Sequence, residues 1–186
     1  MKFYVVRHPL TESNAIDITQ GWGDSPLTHQ GIEEAEKLSG FLKDKEISII
    51  YSSDLGRCVQ TSEIINQKLN LKIIKSPGLR EQNFGKFNNT SIIKEEFDAS
   101  DHSKVPPDGE SFLKMKQRVL TYIKTKLPRN KDKVLIVTHD GCFRAILSDA
   151  LNLDLDSPEC ATTALTIGLF DLKNKDIKFI DKFNLS

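Results

Sequence analysis

The sequence predicts an α/β protein of three layers, αβα, with a mostly parallel central sheet and antiparallel pairing at its C-terminal edge. Three observations predict it. Two short apolar runs without polar alternation, Phe3-Tyr4-Val5-Val6 and Val134-Leu135-Ile136-Val137, read as strands buried on both faces, the usual pattern of parallel strands. Between the strand-like runs lie stretches with apolar residues at helical spacing, the alternation expected of crossover units. Residues 162–171 and 177–183 are β-rich and alternate in part around Lys173-Asn174-Lys175-Asp176, which reads as a hairpin.

The elements follow in order. Residues 2–6 form the first strand and lead into a long loop through Thr11, Asn14, Gly21, Gly23 and Pro26. Thr28 is placed to cap a helix reaching about Lys43, with Ile32, Ala35, Leu38 and Leu42 on one face. Ile47–Tyr51 is a second strand, and Asp54 is expected to cap the next helix, whose apolar face is Leu55, Val59, Ser62, Ile65 and Leu69. Leu71–Ile74 is a third strand. Residues 86–110 are polar and irregular, with a short helix expected near Ser91–Phe97, and read as a lid or a solvated insert. Ser111 caps a helix to about Lys126 that turns Phe112, Met115, Val119 and Ile123 inward, with Pro128 beyond its end. After the fourth strand, 134–137, a helix from about Cys142 to Leu151 packs through Ile146, Leu147 and Ala150.

A chain of 186 residues suffices for one domain with a substantial core, and no repeat or low-complexity tract divides it, so 1–186 reads as a single domain. Lys plus Arg equals Asp plus Glu at 26 each, which argues against a general nucleic-acid or polybasic membrane binder while leaving room for a local basic pocket. Cys58, Cys142 and Cys160 are too scattered for a metal pattern and too few for a disulfide framework; they read as buried thiols of a reducing compartment. The apolar run after Lys2 is too short for a leader and is cut by Arg7, and no run approaches membrane-spanning length. A cytoplasmic protein is expected.

Chemistry-bearing residues recur where strands end. Arg7 and His8 follow the first strand, Arg57 the second, Glu81 the third and His139 the fourth. In open α/β sheets ligands bind at the carboxyl ends of the strands. Arg57 falls in the first turn of a helix, where the dipole disfavours a cation unless an anion is bound there; the competing reading is a surface arginine paired with Glu63 or another carboxylate. Two guanidiniums match phosphate oxygens bidentately, an imidazole can form a covalent intermediate, and a carboxylate can protonate a leaving oxygen and then help activate water. The set suits phosphoryl transfer without a metal.

These residues, with Leu79-Arg80-Glu81, Thr138-His139-Asp140-Gly141, Gly23-Asp24-Ser25-Pro26-Leu27-Thr28-His29-Gln30-Gly31, Ser53-Asp54-Leu55-Gly56-Arg57 and Gly109-Glu110-Ser111, resemble the histidine phosphatase superfamily, the phosphoglycerate-mutase-like proteins, over nearly the whole chain. The resemblance implies that His8 is a nucleophile that becomes phosphohistidine. It implies that Glu81 is the proton donor, and that Arg7, Arg57, His139 and Asn14 hold the phosphate, with no metal and no cofactor. The sequence departs from the family pattern at Pro9, where glycine is usual, at Leu10, where an acidic residue is common, and at Asp140, where glycine is more usual. Pro9 removes a backbone donor; Asp140 either weakens anion binding or caps the helix that follows.

Other readings compete. A metal hydrolase using His8, His139 and a carboxylate leaves Arg7 and Arg57 unexplained. A non-catalytic phosphate-ligand sensor draws on Pro9 and Asp140 but leaves the intact set unexplained. Within the family, mutase-type transfer needs further basic residues after Glu81 that the segment lacks, so a phosphatase is expected. Its first substrate class is a small phosphorylated metabolite, as in an α-ribazole-phosphatase-like role, with protein phosphohistidine as runner-up. His29, His102, Arg80 and Arg144 read as surface or salt-bridging residues. Trp22, Phe84 and Phe87 read as packing at least as readily as leaving-group contacts, and Glu12, Asp17 and Asp24 form no metal cluster.

Overall fold

The computed structural model describes residues 1–91, 97–98, 101–128 and 133–186. Its strands β1 (Lys2–Arg7), β2 (Ile49–Ser53), β3 (Ile73–Ser76), β4 (Lys133–Thr138), β5 (Thr166–Lys173) and β6 (Asp176–Asn184) form one six-stranded sheet of order β3-β2-β4-β1-β5-β6. The pairs β3–β2, β2–β4 and β4–β1 are parallel, and β1–β5 and β5–β6 are antiparallel. The expected mixed sheet is present, and its antiparallel part is the C-terminal hairpin, turned by Asn174 and Lys175 at positive φ.

The period-two alternation of a strand sets up the two faces of this sheet. Phe3, Val5, Val134 and Ile136 enter the core formed with α4 (Phe112–Lys126) and α5 (Asp140–Leu151). Tyr4, Val6, Leu135 and Val137 enter the opposite core, formed with α2 (His29–Leu42) and α3 (Gly56–Leu69). A short α1 (Glu12–Ala15) lies in the loop after β1.

Thr28 and Ser111 cap α2 and α4 as expected, each hydroxyl accepting from the amide three residues on, a contribution of ~1 kcal/mol per cap. Asp54 does not cap α3. The N-cap is Leu55, and both Asp54 oxygens accept from Arg80 at 2.7 Å. A bidentate charged pair outcompetes a single amide bond. The buried stripe of α3 is Arg57, Cys58, Thr61, Ser62 and Ile65, turned from the expected face; Ser62 and Ile65 hold and Val59 and Leu69 are only partly covered. That rotation aims Arg57 inward.

The excursion 86–110 is closed at its base by Lys86 N–H to Pro107 O at 3.1 Å and Glu110 N–H to Asn83 O at 2.9 Å. The short helix expected at Ser91–Phe97 falls mostly on 92–96, outside the described residues. Cys58, Cys142 and Cys160 are free and buried. Among the described residues, no helix is long and apolar enough to cross a membrane.

Candidate functional site

The register of β1 against β4 builds the site. Val6 lies beside Val137 and Arg7 beside Thr138, and the His8 amide extends the ladder by donating to Thr138 O at 2.9 Å. Side-chain alternation continues past both strand ends. His8 and His139 emerge on the α3 face, their rings edge to face with centroids 5.3 Å apart. Arg7 emerges on the α5 face and donates from Nη1 to Asp140 Oδ1 at 3.0 Å.

His8 is buried and doubly fixed. Its Nδ1 lies 2.9 Å from Pro9 O, and Arg57 Nε donates to its Nε2 at 3.1 Å. A carbonyl can only accept, so Nδ1 carries the proton and Nε2 presents its lone pair. Pro9 has lost an amide but supplies the carbonyl that sets this tautomer. Burial first, then the Arg57 and Arg7 charges, hold the imidazole well below the ordinary histidine range, so it is neutral.

Arg57, only 1% exposed, is held by chain carbonyls. Its Nη1 donates to Gly23 O at 2.7 Å and to Asp24 Oδ1 at 3.3 Å, and its Nη2 donates to Gly21 O at 2.8 Å. Asp24 also accepts from the amides of Gly56 and Arg57 at the start of α3. The anion that the helix end calls for is therefore a carboxylate of this chain. Glu63, the other partner considered, faces Lys75 instead.

Glu81 accepts from Gln82 N at 2.9 Å through Oε1 and from Gly141 N at 3.0 Å through Oε2. Burial is the largest cause raising its carboxyl above the ordinary range; the Gln82 amide opposes it, and Asp140 adds repulsion. Its backbone carbonyl accepts from Trp22 Nε1 at 2.8 Å and from Arg118 Nη2 at 3.0 Å. Arg118 in turn pairs with buried Glu110 at 2.5 Å. A Cβ at Gly141 would lie 2.5 Å from Glu81 Oε1, so a side chain there would displace the carboxyl.

These groups surround a cavity of about 310 Å³ walled by Arg7, His8, Asn14, Asp17, Ile18, Thr19, Gln20, Gly21, Arg57, Glu81, Phe84 and Asp140. Of the residues expected to react with or hold phosphate, Arg7, His8, Asn14, Arg57 and Glu81 are brought together on this wall, with Phe84, the aromatic weighed as a leaving-group contact, beside them. His139 is not on it; it is fully buried behind His8, with Ser53 Oγ 2.8 Å from its Nε2. Arg7 Nε is buried and, among the described residues, has no hydrogen-bond partner. Asp140 does not cap α5, whose N-cap is His139, but pairs with Arg7 and accepts from the Thr162 hydroxyl at 2.6 Å. Arg80 and Arg144 make the salt bridges expected of them, His29 is exposed at the start of α2 as expected, and His102 faces Asp156.

Sequence reasoning missed Asp24, Ser53, Arg118 and the Asp140–Arg7 pair. Arg118 had no usable signal, lying between inward Met115 and Val119 on a basic helix. Among the described residues, no three His, Cys, Asp or Glu side chains are grouped as a metal site requires.

A neutral histidine, two guanidiniums and a carboxyl of raised proton affinity around one cavity at the carboxyl ends of parallel strands are the equipment of a phosphoryl-transfer protein. Residues 3–181 match the family model of the histidine phosphatase superfamily (branch 1), and the chain belongs to that superfamily. It is 33% identical over 165 residues to the Proteus mirabilis protein named "Probable phosphoglycerate mutase GpmB", covering 82% of this chain and 76% of that one. It is 34% identical over 169 residues to the 2,3-bisphosphoglycerate-dependent phosphoglycerate mutase of Cytophaga hutchinsonii, covering 83% and 78%. The fold is similar to that of Bacillus stearothermophilus YhfR, with a TM-score of 0.90 at 25% identity over 100% of this chain and 98% of that one. It is also similar to that of the alpha-ribazole phosphatase from Shigella flexneri, with a TM-score of 0.83 at 23% identity over 97% and 95%.

Proposed function

We propose that the chain hydrolyses phosphomonoesters through a phosphohistidine on His8, without a metal, and that its substrate is a small phosphorylated metabolite. The observation that carries the reading is the state of His8: Nδ1–H bound to Pro9 O and Nε2 turned to Arg57, on a cavity wall shared with Arg7. In the first step Nε2 forms a bond to phosphorus as the ester P–O bond breaks, and protonated Glu81 gives its proton to the departing oxygen. In the second, water attacks phosphorus, the carboxylate of Glu81 takes a proton from it, the P–N bond breaks and inorganic phosphate leaves. Arg7, Arg57 and Asn14 hold the phosphoryl oxygens, and His139, off the cavity wall, packs edge-on against the His8 ring from behind.

Mutase-type transfer is the second reading, supported by the names of the two relatives. Hydrolysis is preferred because the described cavity wall has no lysine and no arginine beyond Arg7 and Arg57 to take a second acidic group. We also read 1–186 as one cytoplasmic domain, supported by its single sheet and its three free thiols.

The test is hydrolysis of an aryl phosphate in chelator, wild type against His8→Ala, with trapping of labelled enzyme. An acid-labile phosphoenzyme that requires His8 is expected. Undiminished turnover by His8→Ala would reject the mechanism; interconversion of phosphoglycerates outpacing hydrolysis would move the mutase reading ahead.

A further inference from the structure

Asp140 lies on the cavity wall with its carboxylate on Arg7, and its neighbour Gly141 holds Glu81. Its Oδ1 receives Arg7 Nη1 at 3.0 Å and the Thr162 hydroxyl at 2.6 Å. Both bonds converge on one oxygen, so Oδ2 has no protein hydrogen bond among the described residues. The next residue, Gly141, holds Glu81 Oε2 through its amide at 3.0 Å. Two consecutive residues thus fix the guanidinium on one side and the candidate acid on the other, and the first of them adds a negative charge between them.

The charges of the wall are lopsided. Arg57 already donates to His8, Gly21, Gly23 and Asp24. Around the rest of the cavity Asp17 and Asp140 join Glu81 as carboxyl groups, and Ile18 and Phe84 are apolar. The part of a ligand that lies beyond its phosphate, on the Glu81 side, meets carboxylates and apolar surface, with no described cation other than the arginines that face the phosphate.

We propose that Asp140 is a specificity-determining and positioning residue: it holds Arg7 for the phosphate and sets a negative charge on the leaving-group side, so the site takes phosphomonoesters whose alcohol portion is neutral or cationic and rejects those with a second anionic group near the ester. This rests on the reading that Glu81 faces the leaving oxygen. The physical basis is repulsion between like charges in a partly desolvated cavity, which at a few ångströms changes affinity by about tenfold or more.

The test compares phosphoethanolamine with 3-phosphoglycerate in two ways. One is kcat/KM for wild type, Asp140→Asn and Thr162→Val. The other is calorimetric binding to His8→Ala with and without Asp140→Asn, which needs no turnover. The preference for phosphoethanolamine is expected to be at least about tenfold in wild type and to shrink by about tenfold in Asp140→Asn. Thr162→Val, which loosens the clamp but keeps the charge, should lower both substrates alike and leave the ratio in place. Equal handling of the two ligands by wild type, or a ratio that Asp140→Asn does not move, overturns the proposal. Absent turnover with an intact, Asp140-dependent binding ratio would overturn the hydrolase reading and leave this one standing.

Discussion

The Nε of Arg57 lies 3.1 Å from Nε2 of His8, so the candidate nucleophile is held by a guanidinium that shares its cavity wall. With Nδ1 on Pro9 O, the geometry requires the Nδ1–H tautomer. Nitrogen NMR of His8 should show that tautomer, still neutral at pH 6.5, where an ordinary histidine is half charged. Arg57→Lys keeps a charge but loses the fork, and kcat/KM for an aryl phosphate should fall by about 10²–10³-fold with the fold retained. A loss under threefold would remove Arg57 from the reacting centre.

Glu81 works as an acid only while protonated, so kcat/KM should decline as pH rises through its carboxyl pKa. Burial and the Asp140 charge place that pKa above the ordinary value, against the Gln82 and Gly141 amides and Arg57. Glu81→Gln should abolish this basic limb and cost about 10²–10⁴-fold on alkyl phosphates, much less on activated aryl ones. Gly141→Ala should reproduce the same selectivity of loss, because its methyl displaces the carboxyl rather than removing it. Equal losses on both substrate types would argue against an acid role.

Arg118 ties the carbonyls of Arg80 and Glu81, at 2.9 and 3.0 Å, to the buried carboxylate of Glu110. Arg118→Ala strands that carboxylate, and urea denaturation should show a loss of ~3 kcal/mol. Glu110→Gln, which keeps one hydrogen bond, should lose less. If Arg118→Ala lowers the unfolding free energy by under about 0.5 kcal/mol, the clamp does not hold the Glu81 loop.

His8 and His139 are both buried, and burial is the first cause holding each well below the ordinary range. A depressed folded-state pKa gives stability that is complete above the unfolded value near 6.5 and lost as pH falls toward the folded one. Unfolding free energy should therefore drop below about pH 6.5, by ~1.4 kcal/mol per pH unit for each histidine. Glu81, with its raised pKa, acts oppositely, being stabilising below its unfolded value and losing that as pH rises. Measuring in the Glu81→Gln background removes this opposition, and His139→Gln should take away one histidine's share of the slope. A flat profile from pH 7.5 to 5.5 would show that neither imidazole is held neutral.

Much of this was legible because strand periodicity is strict. The runs at 3–6 and 134–137 declared buried strands, and counting by twos past their ends puts His8 and His139 on one face and Arg7 on the other. Asp54 was misread because capping is a local rule, while its partner Arg80 comes from another strand end. Asp24 was passed over as a potential metal ligand because its use, as anion for the α3 end, depends on how a loop folds back across 33 positions. The face of α3 was misjudged because apolar spacing cannot register a buried arginine, whose burial is justified by two carbonyls and a carboxylate from that same loop and by His8.

The central position of β1 also has a kinetic meaning. Its two neighbours, β4 and β5, lie at residues 133–138 and 166–173, so no nearby segment can complete its ladders. Helices and the β2–β3 pair can form from short-range contacts, while the β1–β4 closure must first overcome the entropy of a long loop. On refolding, helical signal should return ahead of phosphate binding. The histidines meet only when β1 and β4 do, so recovered binding is a clock for that long-range closure.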